Sequence, residues 1–194
     1  TSVTLTLAST GASQMRFKND SGSYGSYEAY ATSKSWTLAN SEGTNTVYVQ
    51  FKDVVGNVAS AVSDTIDFDT TSPTMTLTAS AVADGGNHNA AVTMIFTSSE
   101  ATSNFVAGDI TATNASVSNF TPITGGRAYT ATITPSSSAP SVVVGSNKFT
   151  DGAGNNNTTS NTYNWTHDTT PPTGNSISIN GGASYTNSTS VTLT

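Results

Sequence analysis

The chain has 194 residues, of which 9% are charged and 35% hydrophobic, with a formal net charge of −6 and no cysteine. The lack of cysteine excludes a thiol enzyme, a zinc ribbon and a disulfide-stapled miniprotein, and the acidic balance argues against nucleic acid or an anionic membrane as partner. No apolar run approaches the roughly 20 residues needed to span a bilayer, so no membrane insertion is expected.

Thr and Ser supply about a third of the residues, which suits strands with hydroxyl-bearing outer faces joined by turns. Residues 2–8 alternate strictly, with Val3, Leu5 and Leu7 on one face and Thr4 and Thr6 on the other. Met15 and Phe17 repeat the pattern, and Asn19 to Ser23 is turn chemistry. Tyr24, Tyr27 and Tyr30 follow, then a strand with Trp36 and Leu38 inward. Asn45 to Lys52 is the strongest strand, with Val47, Val49 and Phe51 on its inner face, and after a turn at Asp53–Asn57 the chain returns over Val62 to Phe68. Beyond Pro73 a second set opens with Met75 and Leu77, turns at Asp84–Asn87, and alternates through Val92, Met94 and Phe96. Phe105, Ile110, Val117, Phe120, Tyr129 to Thr134, and Val142 with Val144 continue it to a hinge at Asp151–Asn157 and an end near Trp165. Short strands with turns between them and no helical periodicity predict an all-β sandwich.

Two echoes set the domain plan. Asp53-x-x-Gly56-Asn57 recurs as Asp151-x-x-Gly154-Asn155, an offset of 98 (151 − 53), and the exit Asp69-Thr-Thr-Ser-Pro-Thr74 recurs as Asp168-Thr-Thr-Pro-Pro-Thr173, an offset of 99 (168 − 69). Punctuation at that spacing signals tandem domains. Thr189 to Thr194 is identical to Thr1 to Thr6, an offset of 188 (189 − 1), so the sequence reads as a window on a longer array. Three regions are expected: 1–69, a sandwich without its first strand; 70–170, a complete sandwich; and 171–194, a linker with the opening strands of the next repeat. The expected opening strand is Ser176 to Asn180, with Ile177 and Ile179 on one face.

These phrases resemble bacterial immunoglobulin-like repeats of large surface or secreted adhesin-type proteins. Gln14-Met-Arg-Phe-Lys-Asn-Asp20, Tyr30-Ala-Thr-Ser-Lys-Ser-Trp36 and Thr46-Val-Tyr-Val-Gln-Phe-Lys-Asp53 are similar to one repeat type. Ile95-Phe-Thr-Ser-Ser-Glu100, Phe105-Val-Ala-Gly-Asp109-Ile110, Asn119-Phe120, Tyr129-Thr-Ala-Thr132 and Asp151-Gly-Ala-Gly-Asn155 are similar to another. The resemblance implies tandem immunoglobulin-like β-sandwiches and an extracellular or cell-surface setting.

In a seven-stranded sandwich, the loops after the second and sixth strands share a pole with the incoming linker. That pole of the second unit would gather Asp69, Glu100, Asp109, Asp151 and Asn155, oxygen ligands suited to a structural calcium ion. The Asp-x-x-Gly-Asn loop is equally good turn chemistry with no metal at all, since the Asp bonds nearby amides and Gly takes positive φ, and both readings stay open here. A second, weaker carboxylate meeting would join Asp84 to Asp168 at the opposite pole.

Neither His88 nor His167 neighbours a nucleophile motif, and no nucleophile elbow or phosphate-cradling loop is present. Asp67 and Asp69, two residues apart on a strand, read as a solvated face rather than a glycosidase pair. No enzyme is expected. The reading is a structural module of an extracellular protein, a spacer, stalk or filament segment assembling head to tail with neighbouring copies, possible donor-strand addition included. The alternative is a carbohydrate- or surface-binding adhesion module in which Tyr24 to Tyr30 stack on sugar rings.

Overall fold

The computed structural model describes residues 1–40 and 42–193 and is almost entirely β. The first group of strands is β1 (Ser2–Thr6), β2 (Gln14–Asn19), β3 (Glu28–Ala29), β4 (Ser33–Thr37), β5 (Gly43–Lys52) and β6 (Val62–Phe68). β1 pairs with β4 in a two-stranded sheet, and the facing sheet has the order β3-β2-β5-β6. The alternation read from the sequence lands on the core: Met15, Phe17, Val47, Val49 and Phe51 are buried, with Leu7 and Leu38 beside them. Period-two alternation makes this unavoidable once one face of each strand is covered. Trp36 departs from expectation. It is half-buried, because its indole N–H reaches Asn19 Oδ1 at 2.6 Å while its ring lies against Phe17 at 5.2 Å, one end of the ring apolar and the other wet.

The second group is β7 (Met75–Ala79), β8 (Asn87–His88), β9 (Val92–Ser98), β10 (Ile110–Thr113), β11 (Ala115–Thr124), β12 (Ala128–Pro135), β13 (Ser141–Val144), β14 (Tyr163–Asn164) and β15 (Thr166–His167). One sheet has the order β11-β12-β9-β7 and the other β10-β13-β14, all antiparallel, while β8 and β15 form a short parallel pair at one end. Four strands facing three is the plan of an immunoglobulin-like sandwich. Its core is dense: Val92, Met94, Phe96, Ala131, Ile133 and Val144 have no exposed surface. Phe105 sits at the centre of an aromatic cluster, with ring centroids 5.0 Å from Tyr129, 5.3 Å from Phe149, 5.5 Å from Phe120 and 5.9 Å from Phe96. The Tyr129 hydroxyl donates to the Thr102 carbonyl at 2.9 Å, so the buried phenol is satisfied.

The tail departs from the sequence reading. Ser176 to Asn180 forms no strand; a 3-10 turn spans Asn180–Gly182, and a single antiparallel bridge joins Ile179 to Leu193. Thr194, the last residue of the repeated hexapeptide, lies outside the described residues. A pair of strands with no sheet to cover either face is marginal in water, and Ile177 and Ile179 are 73% and 51% exposed.

Candidate functional site

The loop at Asp151 builds itself from its own backbone. Asp151 Oδ1 accepts the backbone N–H groups of Ala153, Gly154 and Asn155 at 2.8, 2.7 and 2.9 Å, and Asp151 Oδ2 accepts the Asn155 side-chain amide at 2.9 Å. Gly154 takes φ 95°, a conformation that side-chain-bearing residues resist. Burial pushes the Asp151 carboxyl up, but the Asn155 amide and the three backbone amides outweigh it and hold the group below its ordinary range. The first unit repeats the loop: Asp53 Oδ1 accepts the N–H groups of Val55 and Asn57, Asp53 Oδ2 accepts the Asn57 amide at 2.8 Å, and Gly56 takes φ 98°. The motif is therefore a self-sufficient turn in both places, and the difference between them lies in their surroundings.

At the second loop, two further carboxylates arrive. One oxygen from each of Asp69, Glu100 and Asp151 lies within 4.8 Å of the others. Asp69 comes from the linker after β6, Glu100 from the turn after β9, and Asp151 from the loop after β13, so the sandwich topology brings together residues 82 (151 − 69) apart. Desolvation, then the Asp69 and Asp151 charges, push the Glu100 carboxyl above its ordinary value; Arg127 opposes them only in part. Asn155 adjoins the group, and its amide also donates to the Asp69 carbonyl at 3.0 Å. Asp109 stands apart from the group of three. Its carboxylate accepts the Val106 N–H at 2.9 Å and closes the 3-10 turn Ala107–Asp109 that leads into β10.

Three converging carboxylates fit a hard cation of the calcium type, which takes oxygen ligands in a flexible shell. Asp69 Oδ1 and Asp151 Oδ1 accept backbone N–H groups, and Asp151 Oδ2 accepts the Asn155 side-chain amide. Each carboxylate oxygen has a second lone pair, so Asp69, Glu100 and Asp151 could still hold the ion.

The linker holds a residue the sequence reading passed over. Glu42, just ahead of β5, accepts the Thr70 N–H at 3.2 Å, the Thr70 hydroxyl at 2.7 Å and the Thr71 hydroxyl at 3.1 Å. Its carboxyl is held low, first by the Thr70 hydroxyl and then by the Thr70 amide. The only signal was the scarcity of glutamate: a lone Glu ahead of a strand reads as solvated until the linker is seen to run beside it. On the other side, the Pro73 carbonyl accepts the Thr158 N–H at 3.0 Å, the Thr74 N–H donates to Ser99 Oγ at 2.9 Å, and Pro73 is buried. Residues 69–74 are thus bonded to the first unit through Glu42 and to the second through Asn155, Thr158 and Ser99.

The remaining candidates are engaged elsewhere. Asp84 Oδ1 accepts the N–H of Asn164 on β14, whereas Asp168 Oδ1 accepts the Thr170 N–H within its own turn. His88 and His167 face each other across the β8–β15 pair. Arg16 lies 4.7 Å from the Tyr24 ring centre and 4.6 Å from that of Tyr27, and Lys52 lies 4.0 Å from Tyr27. Tyr30 packs edge-on against Phe51, and its hydroxyl accepts the Ser9 N–H. The three tyrosines thus brace β2 and β5 with cation–π and ring contacts.

Two antiparallel sheets of four and three strands define the immunoglobulin-like class. Residues 69–167 match the family profile of the bacterial Ig-like domain, and the chain belongs to that family. It is a non-catalytic structural fold family whose domains are typically found in surface proteins. The search of curated proteins gave no match. Among the described residues, no helix is long and apolar enough to cross a membrane.

Proposed function

We propose that the chain is a structural repeat module of an extracellular surface protein, a spacer, stalk or filament segment that keeps its two sandwiches at a defined separation. The observation that carries this reading is the linker at 69–74, bonded on one side to Glu42 and on the other to Asn155, Thr158 and Ser99. A short linker bonded at both ends, with Pro73 restricting its own φ and the residue before it, limits swivel. In an array of such units, stiffness resides in the junctions. A calcium ion held by Asp69, Glu100 and Asp151 would tie the linker, the β9 turn and the β13 loop to one centre, and would stiffen the junction further.

Small-angle X-ray scattering of the 194-residue chain tests this reading. The expected result is one maximum dimension in the wild type and a broader distribution in the double variant Glu42→Ala with Asn155→Ala. A wild-type curve already requiring a wide spread of separations would overturn it.

A further inference from the structure

The chain holds six Lys and Arg residues against twelve Asp and Glu, yet three of the six cations share one face of one sheet. In the pairing of β2 with β5, Gln14 stands opposite Lys52, Arg16 opposite Gln50 and Lys18 opposite Tyr48. The residues between them, Met15, Phe17, Val49 and Phe51, fill the core, so these six side chains lie on the outer face. All six are half-buried. Ser63 and Thr65 on β6, opposite Tyr48 and Thr46, extend the face with hydroxyls.

Aromatic rings hold the cations in place. Lys18 lies 5.4 Å from the Tyr24 ring centre and 4.6 Å from that of Tyr48. Arg16 lies beside Tyr24 and Tyr27, and its Nε and Nη2 both donate to Gln50 Oε1. Lys52 completes the row over Tyr27. A ring quadrupole attracts a cation but leaves its charge uncancelled.

Carboxylates could cancel that charge, and they are committed elsewhere. Among the described residues the one ion pair is Lys34 with Glu28. Asp20 accepts the Thr46 N–H, Asp53 serves its own turn, and Asp67 accepts the Thr44 hydroxyl toward the start of β5. The outer face of β2 and β5 is thus a positive patch on a chain whose net charge is −6.

We infer that this face binds an anionic polysaccharide of the uronic acid class, with Arg16, Lys18 and Lys52 meeting its carboxylates. The rings fix the cations in advance, so less side-chain freedom is lost when the polymer docks. The Arg16 guanidinium carries N–H donors beyond those that serve Gln50, in a planar fork that matches a carboxylate. Arg16 and Lys18 stand two residues apart on one strand, about 7 Å, a spacing suited to charges carried on separate sugar rings. Nucleic acid packs its phosphates far more densely, at about one charge per 1.7 Å of duplex, and the acidic remainder of the chain repels it. The rings at Tyr24 and Tyr27 already carry cations, so it is the cations, rather than bare ring faces, that meet the sugar. The site goes beyond the spacer reading: it gives a spacer a lateral hold on a charged polysaccharide.

Calorimetric titration of the full chain with polygalacturonate at low ionic strength tests the site. The same polymer with its carboxylates reduced to alcohols is the neutral probe. The first should bind, more weakly as salt is added, and the second should not. Lys18→Gln with Lys52→Gln should lower the affinity about tenfold or more, since two charge-assisted contacts are lost, whereas Lys18→Arg with Lys52→Arg should keep it. Lys148→Gln, at an exposed residue of the second unit, changes the net charge as much as Lys18→Gln and should leave binding unchanged. That single comparison decides the matter even if the double glutamine variant melts early. No binding by the wild type, equal binding of the reduced polymer, equal losses from Lys18→Gln and Lys148→Gln, or tighter binding of dextran sulfate or single-stranded DNA would each overturn the assignment. Scattering of the unliganded chain is independent of all these results, so the spacer reading is tested separately.

Discussion

The side-chain amide of Asn155 reaches back 86 residues to donate to the backbone carbonyl of Asp69, 3.0 Å away. The same amide holds Asp151 Oδ2, so a turn that is complete in itself also grips the incoming linker. The corresponding Asn57 makes the contact within its own turn, to Asp53 Oδ2.

That contrast is measurable. Asn155→Ala should cost about 1–2 kcal/mol, because it deletes two hydrogen bonds of a partly buried amide, one of them to a carboxylate. Asn57→Ala, in an exposed loop with no linker to hold, should cost under about 1 kcal/mol. Urea unfolding of the two variants gives the comparison, and equal losses would show that the Asp69 contact contributes nothing.

The Asp53 loop carries a pH signature. The Asn57 side chain first, then its backbone amide, hold the Asp53 carboxyl below its ordinary 3.8. A depressed folded-state pKa contributes stability above the unfolded value and loses it as the pH falls through the depressed one. Asp53→Asn should therefore melt below the wild type at neutral pH, and the gap should close in acid below 3.8. Melting curves across that range check the sign; a gap that widens in acid would contradict it.

Glu100 behaves in the opposite sense. Its folded-state pKa is raised by desolvation and by the Asp69 and Asp151 charges, so its contribution is full below the ordinary 4.5 and is lost as the pH rises through the raised value. In chelator at neutral pH, Glu100→Gln should melt above the wild type. In millimolar calcium the order should reverse, since an ion bound only to the folded form stabilises by mass action and the variant has lost a ligand. Calorimetric titration should show calcium binding to the wild type and weaker binding to the variant. Absence of binding heat, with no shift in melting temperature, would remove calcium from the junction.

The two cores should respond differently to truncation. Phe105→Ala should cost about 3–5 kcal/mol, at the high end, because four rings surround a buried side chain and cannot collapse into the space. Phe51→Ala should fall at or below the low end of that range, since its core opens on the groove beside β1 and can relax. Chemical denaturation resolving the two units decides this. A larger loss for Phe51 would mean that the groove is closed in solution.

Much of the fold was legible in local pattern. The alternation of Val47, Val49 and Phe51, and of Val92, Met94 and Phe96, named both inner faces, because a strand that is covered on one side leaves no other choice of register. The two Asp-x-x-Gly-Asn loops could likewise be read as turns, since the bonds from the Asp carboxylate that shape each of them lie within five residues. The meeting of Asp69, Glu100 and Asp151 was anticipated from sandwich topology, whereas the placement of Asp109 in a capping contact depended on how the chain bends between Phe105 and Ile110.

What the sequence alone determined, then, was period, turn and repeat: properties that reside in neighbouring residues or in identity at a distance. Tertiary structure decided the rest. Glu42 became a clasp only because the linker passes beside it, and the tyrosines became braces only because Arg16 and Lys52 lie over their rings. Ile66 and Val62 show the same limit: register places both opposite the inner-face residues Asn45 and Val49, yet they are 47% and 57% exposed.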